Sequence, residues 1–494
     1  MLKSIEEIMM DKIEFRKKVI GCWLGKAVGG TLGQPYEGTE GPLNLCFYDP
    51  VPTDMIPNDD LDLQVLWACA LDKMDSPRVD RQILADAWLK HVEFPWDEYG
   101  LAIRNLRNGI RPPYSGSYDN YFVRGLGAAI RSELWACLAP GNPQLAAAYA
   151  HEDACVDHHG EGVYAEMFFA ALESQAFTES SIPALIKTGL DAIPADSMLH
   201  KAISDTCDWW RHLKNWTAVR ERILANYGCD NFTDVIMNLP FTVLGLLAGE
   251  GDFSRTICIA ANCGKDVDCT AASAGAILGI INPDCIGEEW LRPIGRKLVL
   301  NSGIVGINPP ATLDGFTDMV IALKDRLPAF NKPADGLEPD WSKHKIHAEI
   351  KLFKGWLALD ENKSNPVFAG AGEPVEFPGH TCRMPASKVP PDSIMLIRYK
   401  FKLDSKCLVR VMFNSSSNCR VWVNGFYAFG RECGRMLPSF HRLPVNQFKD
   451  IELEAGTHEL IAGISPNKGE REMVWVVGVG ERAGCQWLPK AFLS

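Results

Sequence analysis

Residues 264–279 read GKDVDCTAASAGAILG. Two aspartates, Asp266 and Asp268, stand one residue apart, and a run of Ala, Ser and Gly follows them. Such a run suits a helix whose neighbour comes close, because small side chains keep the two backbones from being held apart. One carboxylate at a helix start is explained as a cap on free amides at the positive end. A second is not, since close carboxylates repel unless a cation sits between them. The stretch therefore predicts a tightly packed helix with a cation-binding mouth.

A second stretch suited to close helix packing lies upstream. In GCWLGKAVGGTLGQPYEG, residues 21–38, glycines recur at 21, 25, 29 and 33. A spacing of four places them on one face of a helix. Each helical glycine costs about 1 kcal/mol relative to alanine, so close packing has to compensate the stripe. A dinucleotide fingerprint fits poorly, because the spacing is not GxGxxG and no strand pattern precedes it. Glu37 follows, where the helix gives way to a loop. A second acidic helix start lies in PNDDLDLQVLWACAL, residues 57–71. Asn58 suits a cap, but Asn58-Asp59-Asp60 with Asp62 exceeds what one cap needs. Two acidic helix starts, far apart in the chain, can wall one site for a hard divalent cation with oxygen ligands.

Residues 13–328 carry apolar residues at helical intervals, as in GVYAEMFFAALESQAF. Pro, Gly and charge then cluster over 329–345, which reads as a linker. Over 346–494 the texture becomes short aliphatic and aromatic runs such as CRVWVNGFYAFG, with Asn424-Gly425 as a hairpin turn. The expected architecture is an all-α orthogonal helical bundle followed by a smaller all-β jelly-roll-like sandwich. Trp422, Tyr427, Phe429 and Trp475 either stack on sugar rings or fill the sandwich core.

At 494 residues, with 47% hydrophobic content, the chain exceeds one ordinary core. A net charge of −12 argues against a polyanion-binding surface, so no nucleic-acid partner is expected. No apolar run reaches membrane-spanning length, and the first residues lack the order of a signal peptide. The 16 cysteines include no CxxC pair and read as reduced thiols of a cytoplasmic protein. Oligomerisation stays open.

Taken together, the three segments resemble the ADP-ribosylglycohydrolase family, which includes dinitrogenase reductase-activating glycohydrolases and ADP-ribosyl-acceptor hydrolases. The family pattern is a Gly-rich first helix with a following Glu, then Thr/Ser-Asp-Asp-Thr, then Gly-x-Asp-x-Asp-Thr/Ser. Here these read Gly21–Glu37, Asn58-Asp59-Asp60-Leu61 and Gly264-Lys265-Asp266-Val267-Asp268-Cys269. The resemblance implies one or two Mg²⁺ ions, or Mn²⁺, in a cleft. It makes Asn58, Asp59, Asp60, Asp266, Asp268 and Cys269 the metal-binding set, and Glu37, Asp59, Asp60 and Asp266 the catalytic set. Leu61 and Cys269 stand where the family has hydroxyls, and Gly29-Gly30 stands where it has Gly-Asp.

The middle of the chain adds substrate candidates on the same resemblance. Ser115, Gly116 and Asn120 fall in a Gly/Ser/Asn-rich loop. His151, Asp153 and His158 crowd a turn-like stretch before a helix, and Arg131 either binds phosphate or holds a carboxylate. The expected reaction is metal-dependent hydrolysis of an N- or O-glycosidic bond of ADP-ribose or an ADP-ribosylated substrate. Hydrolysis of another glycoside or nucleoside, and non-catalytic sugar binding, are the alternatives.

Overall fold

The computed structural model describes residues 11–94, 96–355, 368–432, 434, 436–437, 447–483, 486–491 and 493. The N-terminal residues read above for a leader lie partly outside that set. Sixteen α-helices precede eleven strands among the described residues. None of these helices is long and apolar enough to cross a membrane.

The chain divides into two compact units: residues up to Glu93 with Phe122–Gly336, and Phe94–Tyr121 with Leu337–Ser494. The first unit is helical. Its axis is the pair of helices Lys12–Gly33, buried from Val19 to its end, and Val267–Ile281, buried along nearly its whole length. A helix apolar all round belongs inside a fold, and these two cross through backbone contact. A Cβ added at Gly21 would lie 2.3 Å from the Gly279 carbonyl oxygen, and one at Gly25 2.1 Å from that of Gly275. At Gly29 it would meet the Ala271 carbonyl at 2.2 Å, and at Gly33 the Asp268 Cα at 2.3 Å. Real Cβ atoms do not approach so closely, so each step of the stripe requires glycine. The helix Val235–Gly249, with Pro240 inside it, and Phe253–Asn262 pack beside this pair.

The second unit holds two antiparallel sheets. The strands are β1 Ile346–Lys354, β2 Glu373–Phe377, β3 Thr381–Pro385, β4 Ser393–Leu403, β5 Cys407–Ser415, β6 Asn418–Val423, β7 Phe426–Arg431, β8 Phe448–Leu453, β9 Gly456–Ser465, β10 Glu472–Ala483 and β11 Gln486–Ala491. One sheet runs β2-β1-β4-β9-β6-β7; the other runs β11-β10-β5-β8, with β3 also on β10. Alternate residues from both sheets, among them Ile397, Tyr399, Val411, Phe413, Ala462 and Val477, form the core of the sandwich. Trp475 belongs to it, donating from Nε1 to the Tyr399 hydroxyl at 2.8 Å. Trp422 is also buried, with Ile394, Leu396 and Ile461 on the other face of the first sheet. Asn424 and Gly425 both take positive φ, 49° and 84°, as the two-residue hairpin between β6 and β7 demands.

Residues 94–121, which the sequence pattern groups with the helical body, pack with the sandwich. The Asp119 carboxylate accepts from the amides of His380 at 2.8 Å and Thr381 at 3.1 Å, and pairs with Arg104 at 3.2 Å. The Tyr118 hydroxyl donates to the carbonyls of His344 and Pro378. Helical periodicity does not report such a docking, because it depends on hydrogen bonds made by a loop. Residues 327–340 carry neither helix nor strand.

The stripe generates a direct expectation. Gly25→Ala adds a methyl against the Gly275 carbonyl and forces the helices apart. Overpacking of this kind costs about 1–3 kcal/mol, against about 1 kcal/mol gained in helix propensity. The thermal midpoint should fall; an unchanged or raised midpoint would show that the two helices do not touch through their backbones.

Candidate metal centre

Both acidic helix starts arise from local structure. The helix Asp59–Asp72 begins at Asn58, whose Oδ1 accepts from the Asp60 amide at 2.9 Å. Asn58 is therefore the cap, which frees the following aspartates from that task. Its amide nitrogen occupies the space beside Gly30, where an added Cβ would lie 1.6 Å from it. Gly30 thus makes room for Asn58. The helix Val267–Ile281 has Asp266 in its N-cap position, yet that carboxylate makes no capping hydrogen bond.

Glu37 is held beside this second start by backbone bonds. The Gly38 amide donates to the Lys265 carbonyl at 2.8 Å, and the Lys265 amide donates to the Thr39 carbonyl at 2.7 Å. Gly264 and Lys265 turn the chain with φ of 78° and 70°. Gly264 has to be glycine, since a Cβ there would sit 2.3 Å from the Gly41 nitrogen. Glu37 itself is exposed.

The crossing of the two long helices sets Asp268 against Gly33, and Asn58, seated at Gly30, brings in Asp60 from a third helix. One ligand atom each from Asp60, Asp268 and Cys269 lies within 4.8 Å of the others, and all three residues are buried. Both carboxylate oxygens of Asp60 and Oδ1 of Asp268 are buried without a hydrogen bond. Burial, then the charges of Asp60, Asp62 and Glu37, raise the Asp59 carboxyl well above its ordinary range. Burial, then Glu37, does the same for Asp266, and burial, then Asp266 and Glu37, for Asp268. Asp60 is also raised by burial, but less freely, because Lys26, Asn58 and Cys269 favour its charged form. Unbonded buried oxygens at this density fit a divalent cation, which would take carboxylates as hard ligands.

Lys26, which sequence reasoning missed, lies fully buried on the same helix as the glycine stripe. Its ammonium is 2.7 Å from Glu133 Oε1 and 3.7 Å from Asp60 Oδ1. Gln64 completes this layer, donating to the Asp60 carbonyl and to Glu133, and accepting from the Leu134 amide. Burial pushes the Glu133 carboxyl up to about 7 despite Lys26. Asp62 holds the loop at Asn301, accepting from its amide and side chain. The signal for Lys26 was its position: Lys26 and Gly30 share a helix face, so the lysine sits one turn below the acidic mouth.

The other candidates lie elsewhere. Ser115, Gly116 and Asn120 belong to the second unit, where Asn120 donates to the Gly116 carbonyl at 2.8 Å. His151 is part-exposed beside Glu152 and lines a cavity of about 540 Å³ with Gln144, Phe330 and Lys332. Asp153 is enclosed, accepting from the indoles of Trp67 and Trp135 and pairing with Arg131 at 3.0 Å. Arg131 also grips Asp157, which contacts His158 at 2.9 Å. Arg131 holds carboxylates.

The family model for ADP-ribosylglycohydrolase matches residues 11–314. The chain belongs to the ADP-ribosylglycohydrolase family. Membership points to hydrolysis of a glycosidic bond. Among solved structures, an ADP-ribosylglycohydrolase-related protein complex is similar at 19% identity, covering 64% of this chain and 99% of the other, with a TM-score of 0.45. A β-glucosidase from Kluyveromyces marxianus solved with glucose matches at 7% identity over 28% of this chain and 16% of its own, TM-score 0.20. A GH31 α-xylosidase from Xanthomonas citri matches at 10% identity over 26% and 16%, TM-score 0.15. No curated protein matches the chain.

The raised carboxyls set a pH signature. A carboxyl whose folded pKa is raised stabilises the fold below its unfolded pKa, and that contribution is lost as pH climbs through the folded value. A bound divalent cation removes the cost by favouring the charged forms. The midpoint gained on adding Mn²⁺ to stripped protein should therefore be larger near about pH 8 than near about pH 5. An equal gain at both would mean that these acids do not bind the ion.

Proposed function

We propose that this ADP-ribosylglycohydrolase-family chain is a divalent-metal-dependent hydrolase of the N- or O-glycosidic bond of ADP-ribose or an ADP-ribosylated substrate. The observation that carries the reading is the meeting of Asp60, Asp268 and Cys269 within 4.8 Å, with buried carboxylate oxygens left unbonded. Asp59, Asp60, Asp266 and Asp268 are the ligands we assign, with Asn58 shaping the first helix start. Oxygen ligands alone would suit Mg²⁺ or Mn²⁺. When bound, the ion supplies positive charge for sugar hydroxyls and acidifies a water.

The chain's own groups do the rest. Glu37, exposed and tied to the Asp266 turn through Gly38 and Lys265, takes the proton of the attacking water. Asp59, half-buried at the start of its helix, orients that water. Lys26 holds Asp60 in place from beneath. For substrate contact we propose His151 and His158, which belong to the same unit as the acids. Asp153, enclosed by Trp67, Trp135 and Arg131, acts only by holding Arg131. We also place the protein in the cytoplasm, in keeping with the described cysteines, which are all free.

Asp268→Asn keeps the shape of a residue packed against Gly33 while removing its charge. Release of ADP-ribose from an ADP-ribosylated protein should fall more than about a hundredfold, near 2.7 kcal/mol of barrier. The circular dichroism spectrum should stay unchanged. Activity within about tenfold of the native enzyme would overturn the assignment.

A further inference from the structure

The acid cluster contains a group that a magnesium site does not need. Cys269 is 7% exposed, in the first turn of Val267–Ile281, and its sulfur shares the 4.8 Å cluster with Asp60 and Asp268. Ligand atoms that lie about 2.0–2.3 Å from one cation fall within such a span of each other. The thiol has no disulfide partner and is directed at the Asp60 and Asp266 carboxylates. The neighbouring oxygens are those left without hydrogen bonds: both of Asp60 and Oδ1 of Asp268. Asp60 Oδ1 has the Lys26 ammonium 3.7 Å away, but Asp268 Oδ1 is enclosed without a hydrogen bond and points to a ligand independently of the cysteine. A purely structural cysteine in a helix start would be expected against apolar neighbours, and this one faces carboxylates.

We infer that Cys269 is a metal ligand, and that the centre is built for a thiophilic divalent cation rather than for Mg²⁺. This rests on the metal-centre reading above and deepens it. Mg²⁺ demands hard oxygen ligands, whereas a mixed carboxylate and thiolate set selects ions such as Zn²⁺, Fe²⁺ or Co²⁺. Binding breaks the S–H bond of Cys269 and forms a sulfur–metal bond. The proton is released to solvent, and no electron is transferred. Lys26, 3.7 Å from Asp60, offsets part of the negative charge that two carboxylates and a thiolate bring to one place.

The test is a Co²⁺ titration of the full chain, stripped of metal under reducing conditions, followed by absorption. The native protein should develop a near-ultraviolet thiolate-to-cobalt charge-transfer band together with visible d–d bands. Cys269→Ser should keep the d–d bands and lose the charge-transfer band. It should also bind Zn²⁺ at least about tenfold more weakly, or about 1.4 kcal/mol, while Mg²⁺ binding holds or tightens. Cys269→Thr, read in the same way, guards against a folding defect in the serine variant. A charge-transfer band that survives in both variants would overturn the inference, because another cysteine then supplies it. Visible bands without any charge-transfer band in the native protein would also overturn it, and would leave the metal centre standing with oxygen ligands alone. Absence of any cobalt spectrum would overturn the inference and the metal-centre reading together.

Discussion

The backbone contact between helices Lys12–Gly33 and Val267–Ile281 is the constraint on which the candidate site depends. Gly21, Gly25, Gly29 and Gly33 each leave no room for a Cβ against the opposing helix. The last step of that stripe seats the Asp268 backbone on Gly33. From there the chain needs only a short turn to bring Glu37 alongside Asp266, and backbone bonds at Gly38 and Lys265 hold it there. The same residues that let two helices approach thus decide where the acids stand. Packing at this range tolerates little change, since interiors are filled at crystal-like density.

Electrostatics gives the arrangement its purpose. Clustered buried carboxylates are costly unless paired with positive charge. The first unit offsets part of that cost internally with Lys26, which lies between Glu133 and Asp60. It does not offset the rest: the Asp60 and Asp268 oxygens that face the cluster stay without hydrogen bonds. Asp62 and Asp153, by contrast, are acids whose needs are met within the fold, by Asn301 and by two indoles with Arg131.

Much of this was legible in the sequence because it is written in local patterns. The glycine spacing of four, the two acidic helix starts and the change to strand texture near residue 346 each reflect a short-range rule. The sharing of roles within the Asn58-Asp59-Asp60 run was not legible. Only the geometry separates Asn58, which caps, from Asp266, which occupies a cap position without capping. Lys26 escaped notice because a lysine in a helix is ordinarily solvated, and its burial follows from Glu133, a residue far along the chain. The docking of 94–121 on the sandwich escaped for the same reason, since it depends on Asp119 meeting the amides of His380 and Thr381.

The central claim is that the helix crossing, with Asn58 seated at Gly30, assembles one metal-binding cluster from Asp60 and Asp268. Crystals of the full chain grown with Mn²⁺, measured at the manganese absorption edge, test it most directly. The account predicts an anomalous peak between the Asp60 and Asp268 carboxylates, beside Cys269. A map with no peak there, and with those carboxylates hydrogen-bonded to other protein groups, would contradict it.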